Sequence, residues 1–122
     1  MTPPIFEICS ADTGVQALLG DSTVLRLYPF GEATQKEPLP YAVWGLADGA
    51  PENYLGELPD ADTLTLQVDV YGTTADEARE VRDALIAAIE PEAYIVSWDG
   101  ERRDRDTRAY RISFTVDWIV SR

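Results

Sequence analysis

The sequence predicts a single α+β domain over residues 1–122: an antiparallel-rich mixed sheet with helices packed on one face, in the order α-β-β-β-α-β-β. Three features carry that prediction. Leu64, Leu66, Val68 and Val70 alternate with Thr65, Gln67, Asp69 and Tyr71, the period of a strand with one buried face. Directly after it, Thr74 and Glu77 form a capping-box pair ahead of an apolar stripe at helical spacing, Ala78, Val81, Leu85, Ala88 and Ile89. Alternation then resumes in Tyr94, Val96 and Trp98, and again in Tyr110, Ile112, Phe114, Val116, Trp118 and Val120. Strands flanking one amphipathic helix, with a polar turn between the last two, give a sheet whose helices lie on one side.

Taken in order, Pro3 and Pro4 suit a first helical turn, and Ile5, Phe6, Ile8 and Cys9 form one face of a short helix interrupted near Asp12, Thr13 and Gly14. A second helical turn runs through Val15, Leu18 and Leu19 to Gly20, a C-terminal cap. Val24, Leu25, Leu27 and Tyr28 read as a strand ending at Pro29, and residues 30–40 as a loop, because Gly31, Pro38 and Pro40 break any ladder. Residues 41–46, with Trp44 near the centre, read as a short strand. Residues 47–62 turn to Gly, Pro, Asp and Glu around Tyr54 and Leu55, the pattern of a long loop that is functional or partly disordered. The capped helix runs to Glu90, where Pro91 stops it, and at 1.5 Å per residue it is about 25 Å long. Residues 99–107 are polar and read as a hairpin excursion into a last strand of about eleven residues.

With 122 residues, 45% of them hydrophobic, the chain holds one core and buries about two-thirds of its unfolded surface. Its net charge is -12, and the charge is segregated: residues 1–99 carry 18 acids and 4 bases, residues 100–122 carry 4 acids and 6 bases. Such a body repels a phosphate backbone, since duplex affinity comes from clustered Lys and Arg releasing counterions. An acidic surface does suit a passage that DNA crosses without sticking. A single cysteine excludes an intramolecular disulfide and makes a reducing compartment the default. No apolar run approaches the roughly 20 residues that span a bilayer, and the N-terminal residues lack the order of a signal peptide, so a soluble, cytosolic protein with no membrane partner is expected.

The chain has no histidine, so the usual Ser-His and Cys-His nucleophile pairs and His-based metal sites cannot be built. Cys9 lies on an apolar helix stripe and is expected to pack rather than react. Lys36 is the only lysine and sits in a Pro-flanked loop, away from the desolvated setting that a Schiff base needs. Asp69 and Asp117 fall mid-strand opposite the apolar set; they are candidates for an acid-base pair, for solvated sheet charges, or for an acidic lumen. The run Asp99, Glu101, Asp104 and Asp106 fits no calcium-loop spacing and has Arg102, Arg103 and Arg105 between its acids, so those charges are expected to compensate one another. Arg102, Arg103, Arg105, Arg108 and Arg111 make up half of the ten positive charges. They read either as a solvated loop or as an ion-pairing surface for the acidic body of an identical neighbour. Tyr54 and Leu55 read either as further interface candidates or as side chains packed on their own domain. No phosphate-binding glycine loop or cofactor fingerprint is present, so no cofactor is expected.

Four segments give the chain a family resemblance: Leu18-Leu19-Gly20 closing the N-terminal helices, Pro40-Tyr41-Ala42-Val43-Trp44, Leu66-Gln67-Val68-Asp69-Val70-Tyr71-Gly72 leading into the next helix, and Tyr110-Arg111-Ile112-Ser113-Phe114 running to Trp118. In order and spacing these resemble the tail terminator, or tail completion, proteins of long-tailed bacteriophages, of the minor tail protein U type. The resemblance implies an α+β subunit, made in the host cytoplasm and carried in the virion neck, that forms a hexameric ring on the head-proximal end of the tail tube. It implies a tail tube protein and a head-tail connector protein as partners, with DNA passing through unbound. It carries no catalytic residues. Another neck or tube protein, or a small carboxylate-dependent enzyme, are the alternatives.

Overall fold

Among residues 2–20, 24–33, 37–53, 56 and 58–122, which the computed structural model describes, the chain forms three helices and five strands. They run α1 (Ile5–Ser10), α2 (Thr13–Leu19), β1 (Leu27–Pro29), β2 (Tyr41–Pro51), β3 (Ala61–Gly72), α3 (Ala75–Ile89), β4 (Tyr94–Arg103) and β5 (Tyr110–Ser121). The strands make one sheet in the order β1-β2-β3-β5-β4. β1 is parallel to β2, and every other pair is antiparallel. Because β3 and β4 both run against β5, they are parallel to each other, and α3 is the crossover that joins them past β5. That connection lays α3 along one face of the sheet.

Alternation decides what lies beneath the helix. In the β3–β5 ladder Leu64 faces Trp118, Leu66 faces Val116, Val68 faces Phe114 and Val70 faces Ile112, and all eight are buried. Val81, Leu85 and Ile89 of α3, Ile5 and Cys9 of α1, and Val15 and Leu19 of α2 close the same core. Thr74 caps α3 as its sequence predicts: its hydroxyl accepts from the Glu77 amide at 3.1 Å, while the Glu77 carboxylate accepts from the Thr73 amide at 2.8 Å. Asp12 does the same for α2, accepting from the Val15 amide at 3.0 Å. Among the described residues no helix is long and apolar enough to cross a membrane.

Three expectations are corrected. Residues 47–62 are not one long loop: β2 continues to Pro51 and β3 starts at Ala61, with Asp48 opposite Thr65 and Pro51 opposite Asp62. Asp48, Gly49, Ala50 and Pro51 have poor strand propensity, but β3 supplies the ladder, and a register shift between Leu46 and Asp48 absorbs the extra residue. The 99–107 hairpin forms as expected but its turn is shorter, since β4 continues to Arg103 and β5 begins at Tyr110. Finally, Tyr94, Val96 and Trp98 do not share a buried face and are 68%, 54% and 63% exposed. Irregularities between Ile95 and Ser97 and between Trp98 and Gly100 break the period of two, and Ile95 is the β4 residue that packs on the core.

Candidate functional site

Among the described residues, no helix or strand covers the side of the sheet away from the helices, and only Phe30 lies over it, at Gly45. The residues that alternate with the core set lie there: Thr65, Gln67, Asp69 and Tyr71 on β3, and Arg111, Ser113, Thr115 and Asp117 on β5. They form a hydrogen-bonded polar lattice. Thr65 Oγ1 donates to Asp117 Oδ1 at 2.6 Å, and Ser113 Oγ donates to Asp69 Oδ1 at 2.6 Å. Gln67 Nε2 donates to Asp69 Oδ1 at 3.2 Å, and Arg111 Nη2 lies 3.2 Å from Asp69 Oδ2. Asp99, from a β4 irregularity, accepts from the hydroxyls of Ser97 and Thr115. The three carboxylates thus sit among donors that satisfy them, whereas Arg111 Nε is buried with no hydrogen-bond partner among the described residues. At one end the rings of Tyr41 and Tyr71 stack with centroids 4.8 Å apart, and Arg111 lies 5.9 Å from the Tyr71 centroid. Burial pushes both phenols above their ordinary pKa.

This arrangement separates the two aspartates that the sequence singles out. Asp69 stands opposite Ser113, and Asp117 lies four residues further along β5. At roughly 3.4 Å per residue that is about 13–14 Å along the strand, beyond the roughly 5–9.5 Å between paired glycosidase carboxylates. They do not form a dyad.

The second feature is the basic hairpin between β4 and β5. Asp104 Oδ1 accepts from the amides of Asp106 at 2.8 Å and Thr107 at 3.3 Å, and the Asp104 amide donates to Ala109 O at 2.8 Å. Arg108 takes φ +61°, and its carbonyl accepts from Arg103 Nε at 3.2 Å. Asp104 therefore holds the turn, and among the described residues neither it nor Asp106 forms an ion pair with the loop arginines, so the self-compensation that the sequence implies takes no ion-paired form. Among the described residues, Arg102, Arg103, Arg105 and Arg108 make no ion pair and are exposed. Arg111 leaves the cluster, because its β5 phase turns it to the helix-free face and Asp69. The acidic run also disperses. Asp99 joins the polar lattice, Asp104 holds the turn, and Glu101 receives a two-pronged contact from Arg79 at 2.8 and 3.0 Å. Hydrogen bonding from Arg79 holds the Glu101 carboxyl below its ordinary pKa. No group of three or more metal-ligating side chains occurs among the described residues.

Cys9 is fully buried, and burial pushes its thiol up to about 12, the state of a packing residue. Tyr54, Leu55 and Lys36 lie outside the described residues. One site that the sequence reading missed is the ion pair of Asp62 and Arg122, at 2.9 Å, with Asp62 only 3% exposed and held below its ordinary pKa by hydrogen bonding from Arg122. The signal was there: Asp62 falls on the inward phase of Leu64, Leu66 and Val68, where a carboxylate needs a partner.

The family model described as tail completion protein gp17 matches residues 3–121. In fold the chain is similar to a chain in the virion of a native gene transfer agent particle, with 16% identity and a TM-score of 0.74 over 97% of this chain and 92% of that one. It is also similar to the gp17 protein of bacteriophage SPP1, with 15% identity and a TM-score of 0.58 over 96% and 86% of the two chains. No curated protein sequence matches it. The chain belongs to the tail completion protein gp17 family, and its role is a structural one in the phage tail.

Proposed function

We propose that this protein assembles into a closed ring, six subunits in number, that caps the head-proximal end of a phage tail tube, ends tube growth and presents the surface to which the head is joined. The helix-free sheet face carries this reading. It is broad, polar and acidic, its carboxylates Asp69, Asp99 and Asp117 are each held by hydroxyl donors, and all three helices lie on its other side. Turned toward the lumen, such a face repels the phosphate backbone and leaves DNA free to slide. The helices then form the outside of the ring. The unpaired guanidinia of the β4–β5 tip and the β2–β3 tip are the contacts offered to neighbouring subunits and to the tube. In this reading the chain catalyses nothing and needs no cofactor; it is made in the host cytoplasm and stays in the neck of the virion.

Tail assembly tests this directly. Replacing residues 53–59 by a tight turn leaves both ladders of the β2–β3 hairpin intact and removes its tip. If that tip seats on the tube, tails assembled with the shortened protein have uncontrolled lengths in electron micrographs. Tails of normal length would refute that assignment of the tip.

A further inference from the structure

The two edges of the sheet are unlike each other and complementary. At one edge, β4 has no strand beyond it among the described residues and presents exposed Tyr94, Val96 and Trp98, with Arg102 and Arg103 at its far end. At the other, β1 pairs only with Ala42, Val43 and Trp44, so β2 beyond Trp44 has no strand on its outer side among the described residues. Apolar side chains crowd that edge too: Phe6, Val24, Phe30 and Leu46 are 43%, 49%, 75% and 57% exposed. The charge there is negative, with Glu7, Glu32 and Asp48 making no ion pair among the described residues. The match extends to the two faces. On the helix side, Trp98 stands opposite Phe114 at one edge, while Phe6, Val24, Leu25 and Trp44 line a shallow groove at the other. On the helix-free side, Tyr94 stands opposite Asp117 at one edge, while Phe30 lies over Gly45 at the other. Trp44 Nε1, in that groove, is buried without a hydrogen-bond partner among the described residues.

We infer that the β4 edge of one copy binds the β1–β2 edge of the next. The occupant of each edge is a second copy of this chain, because Trp98 on β4 stands in the same row of the sheet, through Phe114 and Val68, as Trp44 on β2, so a copy repeated about an axis along the strands brings the two apolar edges level. A head-to-tail contact of that kind repeats and closes into a ring, so the inference rests on the ring proposed above and names the surfaces that build it. The irregularities at Ile95 and Trp98 interrupt the outer ladder of β4, so the contact is made by side chains and not by a continuous strand pairing.

A mixing experiment tests the inference. One variant carries Val96→Asp and Trp98→Asp, the other Phe30→Asp and Leu46→Asp; all four positions are more than half exposed. Circular dichroism and a thermal melt establish that each variant is folded, and Arg102→Glu with Arg103→Glu repeats the β4 test further from the core. By light scattering, wild type is expected to give the ring, each variant alone the mass of one chain, and an equimolar mixture twice that mass and nothing larger. Variants that keep the wild-type mass would overturn the edge assignment and leave the ring standing. Folded variants that stay single when mixed would show that the two edges do not meet. A wild type that is monomeric at every concentration would overturn self-association itself.

Discussion

Gly72 ends β3 and lies against the first turn of α3. A methyl group added there would sit 2.8 Å from the backbone nitrogen of Ala78, 3.1 Å from its Cα and 3.1 Å from its Cβ. Two of those atoms are main chain in a capped helical turn, so they move only if α3 moves. Elsewhere, Gly→Ala at a compatible position stabilises by about 0.4–1 kcal/mol through the unfolded chain. Here the structure requires the opposite sign. Overpacking of this kind costs about 1–3 kcal/mol. For 122 residues, unfolding entropy near 2.1 cal/mol/K per residue makes each kcal/mol worth about 4 °C, so Gly72→Ala should lower Tm by about 4–12 °C. Calorimetry or a circular dichroism melt reads this. Adding Ala78→Gly should not restore the loss, because it removes only the Cβ contact. An unchanged or raised Tm for Gly72→Ala would refute the close seating of α3, and with it the reason that one sheet face is closed and the other open.

Two further predictions concern ionisation. Asp62 is held below its ordinary pKa by Arg122, so the pair's stabilisation is present above the ordinary carboxylate range and lost as pH falls through the lowered folded value. Asp62→Asn should therefore lower Tm at neutral pH by an amount that shrinks as the pH drops below about 4, and a gap that stays constant or widens would contradict the pairing. The buried Cys9 thiol, pushed up to about 12, should resist a thiol reagent at pH 8 in the folded protein and react at once in denaturant; comparable rates in both would place it at the surface.

The centre of the fold was legible because β3, α3 and β5 each bury one face, which writes a period of two or 3.6 into the residues. The paired arm at Asp48–Pro51 was not, because its stability comes from the partner strand and its own residues carry no pattern. β4 misled for a related reason: Tyr94, Val96 and Trp98 alternate in sequence, but its irregularities mean that alternation no longer tracks the faces. The site was half visible. The phase of Asp69 and Asp117 on the helix-free face followed from the strands, whereas Arg111 leaving the basic cluster for Asp69 depends on a register that sets Tyr71 beside Arg111. The arginine cluster could be read as a cluster, but only the turn shows that Asp104 is occupied by backbone amides and leaves its neighbours unpaired.

The central claim is a closed ring built from one kind of subunit. The most direct measurement is the solution mass of the wild-type protein by light scattering across concentration, with and without magnesium, and negative-stain images of whatever forms. The account predicts a discrete species of six chains, seen as a ring with a central hole. A single chain at every concentration, or filaments that grow without closing, would contradict it.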